Sequence, residues 1–233
     1  MLLKIVLLYG VSMGYSAVRY IVFAPQNLEH LPVFVLNKGI SMAAALCFAM
    51  AFWVQWRRLR GAIDGGMGGI EPATWFRAGV VGVFAHIPMS LAILRPAYFK
   101  EFFLGERFSF TGEAVFLFGA ATAGGIYLLS RTTWSQRDRW WLSLATLATL
   151  LAHTLCMGIA RGLNINRSHA YLPPMWLLSL IGIALGMIFL LMSRPRTPAA
   201  AAMPVRSRDT MAAAADNADS RAATPSAAGE RTR

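Results

Sequence analysis

Six stretches of the chain are long and almost continuously apolar, at residues 3–24, 32–55, 76–98, 109–130, 140–160 and 172–193. A helix needs roughly 20 mostly apolar residues to cross the hydrocarbon core of a bilayer, and charged or turn-forming residues separate all six stretches. The pattern predicts an all-α, polytopic membrane protein, a six-helix transmembrane bundle over residues 1–193. Between the second and third stretches, "RRLRGAIDGGMGGIEPATWFR" predicts a flexible loop from its glycines and proline. The other connections are expected to be short. Residues 194–233 are rich in Ala, Pro, Arg and Ser and hold no aromatic residue; such a tail is expected to stay disordered, because it buries too little apolar surface to offset ordering entropy. The first stretch is too long for a signal-peptide core and lacks an A-x-A site, so it is expected to be retained as a helix.

Composition agrees with this reading. The chain is 56% hydrophobic and 14% charged, against about a quarter charged in soluble domains. Its formal net charge of +11 raises nucleic acid as a partner, but the arginines lie between apolar runs instead of along one polar arm, so no nucleic acid is expected. The excess reads as topology. One side of the membrane receives Lys4, Arg57, Arg58, Arg60, Arg77, Arg131, Arg137, Arg139, Arg194, Arg196, Arg206 and Arg208; the other receives Lys100, Arg107, Arg161 and Arg167, with Arg95 at the boundary. The positive-inside rule then puts both termini, and the tail, in the cytoplasm, with a multi-pass protein of a bacterial inner (plasma) membrane as the expected setting. Cys47 and Cys156 fall inside apolar runs, where a thiol behaves as a small hydrophobe.

Two of the four histidines stand in the spans: His86 in "GVFAHIPMSLAIL" and His153 in "LATLLAHTLCMGIA". In the expected orientation both helices run outward, and at 1.5 Å per residue the two rings lie roughly 12–14 Å below the helix ends marked by Arg95 and Arg161. Either histidine alone is read more readily as a hydrogen-bonding group at a helix interface. A pair at one depth reverses that preference, because an axially ligated haem requires one imidazole on each face of its iron. Each ring would then keep one nitrogen for iron and turn the other to an acceptor. His30 and His169 are expected in outer loops. The small residues Gly82, Ala85, Ala152 and Gly158 near the pair serve a flat macrocycle or close helix packing equally well, and Pro88 is expected to kink the third span.

Arg19, Lys38, Arg95 and Arg161 stand near outer helix ends and are individually explained by snorkelling. Together they form a candidate electropositive mouth, with Lys38 and Arg95 the better partners for haem propionates. Glu113 is accounted for by the dipole of the helix it starts, and Trp53, Trp56, Trp75, Trp134, Trp140 and Trp141 are expected in an aromatic belt at the inner helix ends.

On "NKGISMAAALCFAMAF", "FRAGVVGVFAHIPMSLAILRP", "FTGEAVFLFGAATAGGIYLLS" and "RWWLSLATLATLLAHTLCMGIA" the chain resembles the ferric reductase-like transmembrane domain family, over about residues 1–193. That resemblance implies a six-helix bundle with b-type haem between the third and fifth spans, ligated by His86 and His153, and electron transfer across the membrane. Many members carry a second histidine on each of those helices; neither helix has one here, so one haem is expected. Many also append a flavin and nicotinamide domain, whereas this chain has no G-x-G-x-x-G in a strand-helix context. The implied donor is therefore a quinol, a separate cytoplasmic flavoprotein or a bound flavin, and the implied acceptor stands at the outer face: a ferric chelate, oxygen or a partner protein. Beside this reading stand a small proton-coupled transporter or channel using His86, His153 and Glu113 without a cofactor, and a scaffold whose histidines only satisfy helix contacts. An intramembrane hydrolase is disfavoured, since Ser90 and Ser130 show no motif pairing them with a base.

Overall fold

A computed structural model describes residues 2–23, 31–61, 71–131, 133–160 and 172–195. Gly65, Gly66, Gly68 and Gly69 of the loop, His30, His169, Arg161, Arg167 and the tail from residue 196 lie outside the described residues. Helix α1 (Leu2–Ala17) continues through a π-helical turn at Val18–Val22, followed by α2 (Leu31–Leu59), α3 (Pro72–Ala92), a short α4 (Pro96–Phe99), α5 (Phe110–Arg131), α6 (Gln136–Ala160) and α7 (Met175–Met192). Six of these helices are long and apolar enough to cross a membrane. The chain is an integral, multi-pass membrane protein.

The third span differs from its expected bounds, starting at Pro72 and ending at Ala92. Pro72 opens it, where a missing N–H costs nothing, and Pro96 closes it early, because the residue before a proline is driven out of the helical region. Arg95 accordingly has φ −140° and ψ 155°. The following connection is also longer than expected. It holds α4, a 3₁₀ turn at Lys100–Phe102 and an antiparallel hairpin pairing Phe103 with Phe108 and Leu104 with Arg107. Gly105 turns that hairpin with φ +67°, a conformation glycine adopts without penalty. Ser109 caps α5, its Oγ accepting from Gly112 N at 3.1 Å, and Ser135 caps α6 through Asp138 N at 3.2 Å.

Helix α2 is the central element, packed against α1, α3 and α7; α7 continues to α6 and α6 to α5. Glycines set these seams, as close packing without a hydrophobic driving force requires. A Cβ on Gly79 would stand 2.8 Å from the Phe48 ring, one on Gly158 2.7 Å from the Trp176 ring, and one on Gly186 3.3 Å from Ala49 Cα. At Gly125 it would meet Thr146 Oγ1 and lie 3.1 Å from Thr146 Cβ, whereas neighbouring Gly124 has nothing within 4 Å. Gly125→Ala is therefore expected to lose about 1–3 kcal/mol of stability to overpacking, and Gly124→Ala to stay within about 0.5 kcal/mol of the parent. Equal thermal midpoints for the two variants in one detergent would contradict the α5–α6 seam.

Tryptophan and arginine gather at the ends of α2 and α6: Arg57 stands 5.5 Å from the Trp53 ring, Arg60 4.8 Å from Trp56 and Arg194 5.8 Å from Trp140. Trp134 and Trp141 are exposed as a belt demands, but Trp75 and Trp140 are buried and hold helices together. Trp140 Nε1 donates to the Leu190 carbonyl of α7 at 2.9 Å.

Candidate functional site

The five helices α2, α3, α5, α6 and α7 surround a cavity of about 310 Å³, a size at the lower end of small-molecule and cofactor sites. Its walls are largely apolar, with polar groups from Asn37, Lys38, Ser41, His86, Ser90, Thr122, His153, Thr154 and Ser179. Helix α3 brings His86 and α6 brings His153. These two helices make little direct contact, so the histidines approach the cavity from separate walls. Each ring is deep in protein yet only half-buried, because part of its surface opens onto the cavity. Lys38 of α2 lines the same cavity as both.

The backbone orients both rings in one way. His153 Nδ1 donates to the Val115 carbonyl of α5 at 2.8 Å, and His86 Nδ1 lies 3.3 Å from the Asn37 carbonyl of α2. Gly119 makes the first contact available: a Cβ there would stand 3.1 Å from His153 Nδ1. With Nδ1–H committed to a carbonyl, Nε2 of each neutral imidazole carries the lone pair that a metal ligand needs. No described residue hydrogen-bonds His153 Nε2. His86 Nε2 has Ser90 Oγ at 3.1 Å, one helical turn on, and the same hydroxyl donates to Asn37 Oδ1 at 3.1 Å. Ser90 thus has a base beside it that no sequence motif marked, and its single proton has two competing acceptors.

Lys38 is 7% exposed in the cavity wall, with Nζ 5.4 Å from the Phe34 ring and 5.0 Å from the Phe99 ring, distances at which an ammonium is attracted to the ring face. Arg95, the other expected propionate partner, is exposed and does not line the cavity. Arg19 is buried and does not line it either; its Nη1 donates to the carbonyls of Leu172 and Pro173, clasping the end of α1 to the entry of α7. Among the described residues the expected ring of cations is therefore represented at the cavity by Lys38. Glu113 is exposed at the start of α5, away from the cavity.

Among the described residues no group of three or more His, Cys, Asp or Glu could hold a metal ion by protein ligands alone. Two imidazoles suit a group that brings its own equatorial donors and asks the protein for axial ones. The walls add flat apolar surface from Phe48, Phe99, Phe102, Phe116 and Trp176. Asn37, Ser90, Gly119 and Trp176 are site residues that sequence reasoning did not assign; only Ser90, four residues after His86 and so on its helix face, had a signal in the spacing. Comparison of the chain with protein-family models and with curated proteins found no match.

Proposed function

We propose that the chain is a membrane electron-transfer protein that holds one b-type haem, with His86 and His153 as axial ligands and Lys38 as a partner for a propionate. The observation that carries this reading is the pair of imidazoles on separate helices, both opening onto one apolar cavity and both directing Nδ1 to a main-chain carbonyl. The resemblance to the ferric reductase-like transmembrane domain family supports it. When bound, haem supplies a one-electron Fe(III)/Fe(II) couple at membrane depth. The chain's own part is to present two neutral imidazoles, exclude water with aromatic walls, and place one positive charge where carboxylates of the ligand need it.

The distribution of lysine and arginine supports cytoplasmic termini, and in that orientation the histidines stand in the outer half of the proposed bacterial inner membrane. Electrons then pass from a quinol or a cytoplasmic flavoprotein toward an acceptor at the outer face. The test is a pair of visible spectra, oxidised and dithionite-reduced, of protein expressed with haem supplied. Sharp reduced bands of low-spin b-type haem at about one haem per chain are expected. Folded protein that stays colourless would remove the proposal. The Asn37–Ser90–His86 cluster, a hydrogen-bonded chain at membrane depth, favours proton-coupled transport as the second reading; it requires proton flux into vesicles by haem-free protein.

A further inference from the structure

Among the described residues, buried side chains pack at two ends of the cavity, and exposed ones line it on one side. At one end the segment after α3 forms an aromatic cap, in which Phe99 and Phe102 are 4% and 2% exposed and stack at 5.4 Å with an interplanar angle of 4°. Ser109 ties that cap to α5, its N–H donating to the Phe102 carbonyl at 2.8 Å. At the other end Phe48, Ile126, Leu147 and Ile183 pack into a core of buried side chains.

Between α3 and α5 the situation is different. These are the helices of the surrounding ring that touch most sparsely. Leu91 of α3 and Phe116 and Ala120 of α5 line the cavity and are exposed, Leu91 by 55% and Phe116 by 53%. The cavity meets exposed apolar side chains there. Phe84 of α3 and Leu117 of α5 are exposed as well, an apolar composition suited to lipid.

We infer that the cavity is loaded from the bilayer through the gap between α3 and α5, by a planar amphiphile that partitions into lipid. Haem has that chemistry, and using it as the probe rests the inference on the reading above. Wild-type protein purified without haem is placed in phosphatidylcholine nanodiscs, mixed with haem carried by vesicles of the same lipid, and followed by the growth of its Soret band. Leu117→Trp and Phe84→Trp, which crowd the gap from opposite sides at exposed positions outside the cavity lining, are expected to slow uptake by about tenfold or more. The same variants given haem during expression, when the gap has not yet closed, are expected to show the wild-type reduced bands. Uptake at the wild-type rate by both variants overturns the lateral route while leaving haem binding intact. Failure of the wild type to bind haem by either protocol overturns the haem reading itself, and the route with it. Using two variants on different helices keeps the test decisive if one of them fails to fold.

Discussion

His153→Ala is expected to abolish the low-spin spectrum of the haem-loaded protein and to lower haem affinity by at least about 100-fold, or roughly 3 kcal/mol. Among the described residues of the α6 wall only His153 offers an imidazole to the cavity and none offers a thiolate; Met157, one turn on, offers a weaker thioether. His86→Ala is expected to do the same from the α3 side. The effect on folding is smaller than the effect on binding, because each ring is half-buried and gives up one hydrogen bond to a carbonyl, worth about 0.5–1.5 kcal/mol. Helical content by circular dichroism should therefore be preserved. Millimolar imidazole is expected to restore part of the reduced spectrum in each variant, since truncation leaves a ring-sized space beside an existing cavity. Two variants that both keep wild-type bands would show that the iron, if present, is held elsewhere.

The six spans were legible because a bilayer allows little ambiguity: a helix must satisfy its own backbone and must be apolar for its whole crossing. The aromatic cap was not. In "RPAYFKEFFLGERFSF" the charges of Lys100, Glu101, Glu106 and Arg107 mark a break between spans, and Pro96 and Gly105 mark only the stop and the turn. Nothing in the order of five phenylalanines and a tyrosine says that the rings fold back as a cap. Arg95 illustrates the consequence. Read as a helix end beside the mouth, it is instead the extended residue before a proline, exposed and away from the cavity. His86 and His153 could be singled out because ionisable residues are rare at this depth, and the structure brings them to one cavity together with Lys38. Their acceptors could not be singled out. Asn37 O and Val115 O are main-chain groups, which every residue possesses, and which helix offers them depends on the order of helices around the cavity. The same holds for Trp75 and Trp140. Position along the chain suggested a lipid-facing belt, but whether a tryptophan at a helix end faces lipid or a neighbouring helix is decided by packing.

The second large effect is expected at Asn37, a fully buried residue at 1% exposure whose carbonyl and side chain act on the two sides of one histidine. Its carbonyl receives His86 Nδ1, and its Oδ1 receives the Ser90 hydroxyl that otherwise stands 3.1 Å from His86 Nε2. Asn37→Leu retains the carbonyl and removes Oδ1. Ser90 is then left with His86 Nε2 as the acceptor of its proton, so the lone pair required for ligation is engaged by a hydroxyl. A drop in haem affinity of about 10–100-fold follows, the usual scale for loss of a group that supports a metal ligand. Ser90→Ala alone removes the competitor and should bind haem within about threefold of wild type, a difference below 1 kcal/mol. Combining it with Asn37→Leu should recover most of the lost affinity, because the hydroxyl that blocked Nε2 is gone. The four proteins form a double-mutant cycle whose coupling is the quantity to measure. A double variant as weak as Asn37→Leu would mean that Asn37 acts through packing around α2 and α3, and that Ser90 does not compete for the ligand nitrogen.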